Sequence, residues 1–275
     1  MKHVLENVKK SDVVTDPFPY IVIDNAVDED IVEELISQYP DTSVVGEGES
    51  LGDNKRFSLG APKVAESDGV SDVWKQFIEA NSSQAFLDKF IELFGDHIPK
   101  YFPDFEEKFG PVNKLRAGVR NKDQHQKGQI LLDAQIAVNT PVIKKPSSVK
   151  IAHVDNSNKL FSGLFYLRPD IDDSVGGSLQ IYKYKDSNKI QFHDARLVEN
   201  KYVDVIKTIP YKKNTLVLFL NTMYSLHGVT VREQTDHPRI FMNLIGETPE
   251  DLFSLSKNYE GFIYNKLRRI IKKIN

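Results

Sequence analysis

The sequence predicts an α+β fold of mainly β character, a β-sandwich or jelly roll with helices laid over one face. Two observations carry this. Up to about residue 112 the chain shows helix periodicity and capping signals. Beyond it, β-prone runs of six to eight residues alternate with turn residues such as Arg168-Pro-Asp-Ile-Asp-Asp-Ser-Val-Gly-Gly177. A length of 275 residues suits a single domain, read here as helical support and a substrate loop over 1–112, a β core over 113–250 and a helical tail over 251–275.

In chain order, Phe18–Asp24 reads as a short strand, and Asp28 starts a helix running to about Tyr39 with acidic residues in its first turn. Residues 40–70, rich in Gly, Ser, Asp and Pro, read as one long loop of the kind that borders a site. Ser71 and Ser83 sit as caps of two further helices, with Gly95 ending the second. Phe86, Phe90, Leu93 and Phe94 fall at helical spacing, as a face packed on a sheet would. Strands are predicted near 114–119, 131–138, 148–155, 161–167, 178–184, 203–209, 214–220, 225–232 and 239–246. The last segment, with Leu267, Ile270, Ile271 and Ile274 as one stripe, reads as a docked helix with a solvated basic face.

Composition excludes several chemistries. With no cysteine there is no disulfide, thiolate metal site, iron–sulfur cluster or thiol catalysis, so any metal falls to His and carboxylates. With 36 basic and 39 acidic residues, net charge −3, no global attraction to nucleic acid is expected. No run approaches the roughly 18 apolar residues of a membrane span. The N-terminus lacks the apolar core of a signal peptide, which makes the cytoplasm the default location.

The segment Ser147-Ser-Val-Lys-Ile-Ala-His-Val-Asp155 holds the most specific chemistry. On an extended chain i and i+2 share a face, so His153 and Asp155 can reach one metal, with Val149 and Ile151 on the same face as its floor. His227 opens a later strand and supplies a second imidazole. Two imidazoles and one carboxylate form the facial triad that suits non-haem Fe(II), with open positions left for ligands. The hairpin after His227 returns Arg239, and the parity of Arg239–Ile245 turns Arg239, Phe241 and Asn243 to the cavity while Ile240, Met242 and Leu244 face the helices. A guanidinium there can clamp a carboxylate in bidentate fashion. Arg232, of opposite parity to His227, is expected to point away from the metal.

These residues resemble the 2-oxoglutarate/Fe(II)-dependent oxygenase superfamily in its prolyl-4-hydroxylase-like branch. Pro17-Phe-Pro-Tyr-Ile-Val-Ile-Asp-Asn-Ala-Val-Asp28 is similar to the opening segment of bacterial and phage members, and Gly176-Gly-Ser-Leu-Gln-Ile181 to their Gly-Gly-x-Leu turn and strand. The resemblance implies a double-stranded β-helix, or jelly-roll, core with supporting N- and C-terminal helices. It implies Fe(II) on His153, Asp155 and His227, 2-oxoglutarate with its distal carboxylate on Arg239, O2 as the second cosubstrate and ascorbate as an optional reductant. It also implies a further hydrogen-bonding group for the cosubstrate, for which Tyr166, Gln135 and Asn139 are the candidates. Asp155 stands where related halogenases keep a small residue, so hydroxylation of a C–H bond is implied. The substrate stays open among peptidyl proline or another side chain, an amino acid and a glycan.

Two other readings compete: a cupin-type metal enzyme that does not use 2-oxoglutarate, against which Arg239 speaks, and a non-catalytic β-sandwich, against which the triad speaks. His3, His97, His125, His193 and His237 have no partner at ligand spacing and read as surface or loop residues. Lys55 or Arg56 in the long loop is placed to meet an anionic group, although a solvated charge is the plainer reading of either.

Overall fold

The computed structural model describes residues 1–148, 150–186, 192 and 196–254. The basic C-terminal segment, Val149 and His193 lie outside them. The helices are α1 (Glu29–Ser37), α2 (Thr42–Val45), α3 (Ala61–Glu66), α4 (Asp72–Ala80), α5 (Gln84–Phe94), α6 (Ile98–Tyr101) and α7 (Phe105–Phe109). The strands are β1 (Tyr20–Asp24), β2 (Arg56–Leu59), β3 (Arg116–Val119), β4 (Gln129–Asn139), β5 (Lys159–Tyr166), β6 (Leu179–Tyr184), β7 (Val203–Ile209), β8 (Thr215–Leu220), β9 (His227–Val229) and β10 (Arg239–Glu247). The predicted strand positions are met closely except at 225–232, where only His227–Val229 is a strand, and at 148–155.

The larger sheet runs β1-β8-β5-β10-β4-β2, antiparallel throughout, and β3 adds to β4 in parallel. The smaller sheet is β7-β6-β9, also antiparallel. Strand parity divides the core. Ile240, Met242 and Leu244 of β10, and Leu216, Leu218 and Leu220 of β8, pack outward against the helices. Phe241 of β10, with Val217 and Phe219 of β8, packs inward against Leu179, Ile181 and Ile209 of the smaller sheet. The two sheets therefore face each other, and the helical layer covers the far face of the larger one. The aromatic stripe of α5 is part of that layer: Phe90 lies 4.4 Å, centroid to centroid, from Phe161 of β5. Ser83 caps α5 by accepting from the Phe86 N–H, whereas Asp28 and Ser71 occupy cap positions without a side-chain bond.

Two predictions fail here. Residues 40–70 are not one loop, because α2, β2 and α3 form within them and β2 pairs with β4 at the sheet edge. The alternation Arg56-Phe-Ser-Leu59 was the strand signal, masked by Gly- and Asp-rich surroundings. Among the described residues of 148–155 no regular strand forms: His153 makes isolated bridges to Leu197 and His227, and Ser147, just before the segment, makes one to Arg232.

Candidate metal centre

His153 and His227 sit directly opposite each other. The His153 N–H donates to the His227 carbonyl (2.9 Å) and the His227 N–H donates back (3.0 Å). Cross-strand partners point to one face, so the two rings lie 4.3 Å apart, centroid to centroid. Each Nδ1 bonds the backbone carbonyl two residues earlier, Ile151 at 2.8 Å and Ser225 at 2.9 Å. A carbonyl only accepts, so both Nδ1 atoms carry the proton and both Nε2 atoms keep a free lone pair. One ligand atom from each of His153, Asp155 and His227 lies within 4.8 Å of the others, and the His153 Nε2 is buried without a partner.

The carboxylate is oriented as well. Asp155 Oδ2 accepts from the Ser162 hydroxyl (2.6 Å) and from Lys159 (3.1 Å). Its Oδ1 faces the His153 Nε2 at 3.8 Å. Burial alone would raise the Asp155 carboxyl, but Lys159, His227, Lys150 and His153 together hold it well below the usual carboxylate range. Burial holds both imidazoles below their ordinary value, His153 far below, with His227 and Lys150 adding to the effect there. A neutral imidazole pair and an ionised carboxylate are the protonation states that a divalent metal requires.

The sequence-predicted cosubstrate residues form a second cluster. Arg239 is buried, with Nε donating to the Gly177 carbonyl (2.9 Å) and Nη1 to Asn139 Oδ1 (3.2 Å). Its guanidinium lies about 5 Å from the centroids of Tyr166, Tyr211 and Phe241. Arg239 Nη2, Asn139 Nδ2 and Tyr166 Oη are all buried without a partner. Three unused donors side by side fit a carboxylate, since leaving them unpaired is costly. Gln135 lines the cavity but is engaged, donating to Asp133 (2.6 Å) and accepting from Asn243 (2.8 Å).

The triad opens into a cavity of about 300 Å³. Phe219, Leu164 and Leu179 give it apolar wall, while Arg56, Arg120, Lys150 and Lys159 bring charge. Arg239 does not line this cavity; it adjoins it through Phe241, whose ring also carries the Arg56 guanidinium at 5.0 Å.

Several expectations are corrected. Arg56 is half-buried on β2 and lines the cavity instead of standing as a solvated loop charge. Burial, together with Arg239 and against the pull of Asp155, pushes it down to about 10. Ile151 is half-exposed and forms no floor to the site. Arg232 keeps away from the triad, as its parity implies, and it is buried beside Arg239, donating to Asn54, Thr140 and His237. His3 is buried rather than a surface residue, edge-on to Phe86. Ser162 and Lys159 were missed, although a serine at inward parity in the apolar run Leu160–Leu167 was a usable signal.

No family model and no curated protein matches the chain. Solved structures do. A prolyl-4-hydroxylase of Pseudomonas putida shares 10% identity, with 83% of this chain and 92% of that chain covered and a TM-score of 0.43. For a prolyl 4-hydroxylase of Phytophthora capsici the values are 14%, 97%, 74% and 0.49. For the non-heme alpha ketoglutarate dependent carbocyclase SnoK from nogalamycin biosynthesis they are 12%, 90%, 87% and 0.47. The chain is similar, at this distance, to solved prolyl-4-hydroxylases and other 2-oxoglutarate/Fe(II) oxygenases.

Proposed function

We propose that the protein is a 2-oxoglutarate- and Fe(II)-dependent dioxygenase that hydroxylates an unactivated C–H bond. The observation that carries this is the convergence of His153, Asp155 and His227, buried, with both imidazole tautomers set by backbone carbonyls. In this reading residues 1–275 form one oxygenase domain whose facing antiparallel sheets are a double-stranded β-helix. When bound, ferrous iron with 2-oxoglutarate and O2 supplies the oxidising chemistry and yields succinate and CO2.

The chain's own residues do the rest. Ser162 and Lys159 hold one oxygen of Asp155 so that the other is presented to the metal. Ser225 and Ile151 carbonyls fix the imidazoles. Arg239, Tyr166 and Asn139 receive the distal carboxylate of 2-oxoglutarate on their unused donors. Phe219, Leu164 and Leu179 exclude water from the reacting face. A cupin-type enzyme without 2-oxoglutarate would leave the three donors beside Tyr166 unexplained.

The test is succinate formation from 2-oxoglutarate by anaerobically iron-loaded protein exposed to O2. Succinate that requires Fe(II) and O2 and is lost in His153→Ala is expected. Full turnover in His153→Ala would sink the triad. Arg239→Ala should raise the 2-oxoglutarate requirement by about tenfold or more, the value of a hydrogen bond to a charged group.

A further inference from the structure

The charges that line the cavity do not balance. Arg56, Arg120, Lys150 and Lys159 line it with two carboxylates, Asp155 and Glu247, and a third, Asp133, meets Arg120 at 3.4 Å, so the cations still outnumber the anions. Arg120 pairs with Glu247 at 2.8 Å and Lys159 with Asp155 at 3.1 Å. Lys150 reaches only Asp155 Oδ1, at 3.9 Å, the oxygen that the reading above assigns to the metal. Among the described residues the Arg56 side chain has neither a hydrogen bond nor an ion pair, only the ring of Phe241. Iron and 2-oxoglutarate carry equal and opposite charge, so their binding leaves this surplus in place. The carboxylates of 2-oxoglutarate are already provided for, one by the metal and one by the Arg239, Tyr166 and Asn139 donors. A desolvated cation without a partner is costly in a folded protein.

Resting on the proposed oxygenase reading, we infer that the substrate carries a carboxylate or phosphate group, and that Arg56, with Lys150, binds it beside the metal. Arg56 is suited to this by position. It sits on the edge strand β2 and lines the cavity, where a planar fork can hold an anion in bidentate fashion. Lys150 stands on the histidine-bearing segment and adds a point charge. A cavity with this surplus concentrates anions although the whole chain is net −3. A neutral substrate, such as an unmodified prolyl ring, would leave both cations unanswered.

The experiment measures binding of inorganic phosphate and of acetate by calorimetry at constant ionic strength. The protein is the anaerobic Fe(II) form saturated with 2-oxoglutarate, and the metal-free form is run in parallel. Wild type is compared with Arg56→Gln, Arg56→Lys and Lys150→Gln. Expected are saturable binding of at least one anion, a loss of about tenfold or more in Arg56→Gln, partial retention in Arg56→Lys and a smaller loss in Lys150→Gln. The stronger binder of the two probes names the group. The 2-oxoglutarate affinity of Arg56→Gln should stay within about twofold of wild type. No anion binding, or equal binding in wild type and Arg56→Gln, overturns the inference. So does a larger loss of 2-oxoglutarate than of anion, which would place Arg56 in the cosubstrate clamp. If wild type fails to bind 2-oxoglutarate, the oxygenase reading falls. Arg56-dependent phosphate or acetate binding to the metal-free form would then still support an anion site, and its absence would remove that too.

Discussion

At the scale of single residues, the site is built by atoms that are satisfied on one side and unused on the other. His153 and His227 spend Nδ1 on backbone carbonyls and keep Nε2. Asp155 spends Oδ2 on Ser162 and Lys159. Tyr166 spends nothing: its hydroxyl is buried without a partner, and burial raises it above its ordinary value despite Arg239. Tyr166→Phe removes an unsatisfied group, so metal-free stability should stay within about 0.5 kcal/mol of wild type. The 2-oxoglutarate affinity of the Fe(II) form should fall about tenfold, since a hydrogen bond to a charged ligand is worth roughly 1.5 kcal/mol or more. Urea unfolding and an anaerobic titration check the two halves, and an unchanged affinity would remove Tyr166 from the cosubstrate site. The convergence of His153, Asp155 and His227 was legible from spacing and strand position; parity gave the inward side of Arg239 but not that it stops short of the cavity. Ser162 and Arg56 were not legible, because their roles depend on which strands become neighbours.

Elements matter here mainly through how they are pinned. Gly176, at φ +89°, lies so close to the Val231–Arg232 backbone that an added Cβ would meet the Val231 carbonyl oxygen at 1.9 Å. Gly177, next to it, holds Arg239 Nε on its carbonyl. Gly48 also has positive φ, +74°, but nothing stands within 4 Å of where its Cβ would be. Gly48→Ala should therefore cost about 1–2 kcal/mol of strain alone. Gly176→Ala should cost more, roughly 3 kcal/mol or above, because backbone must also shift, and it should weaken 2-oxoglutarate binding in step. Denaturant midpoints of the pair decide this, and equal losses would mean that the contact does not matter. The Gly-Gly turn could be read in the sequence, but not what it presses on, since Val231 is 55 residues later. The same limit explains residues 148–155. The backbone hydrogen bonds of their described residues come from 196–198 and 227–229, so local β propensity could not tell bridges from a strand.

Over the whole molecule, three layers of packing surround a polar centre: helices, the larger sheet and the smaller sheet. Burial holds His3, His97, His153 and His227 below the ordinary histidine value near 6.5. Below that pH the unfolded chain takes up protons that the folded chain refuses, so stability falls as pH falls from about 6.5. Asp133, raised by burial, works in the opposite sense, and only at lower pH. Urea midpoints of metal-free protein at pH 7.5, 6.5 and 5.5 should decline in that order, and a rise on acidification would contradict the burial of these rings. Among the described residues no helix is long and apolar enough to cross a membrane. The amino-acid sequence by itself determined the strand parities, the α5 stripe and the choice of His153, Asp155 and His227 as the residues that converge, because periodicities of 2 and 3.6 and an i, i+2 spacing are local properties. Tertiary structure alone decided that β2 emerges from a polar stretch to place Arg56 in the cavity, that Arg232 is buried beside Arg239, and that three unused donors meet at Tyr166. Those outcomes depend on the pairing of β4 with β2 and with β10 and on contacts as distant as Arg232 with Asn54, 178 residues apart, and side-chain burial and charge balance exist only once those contacts form.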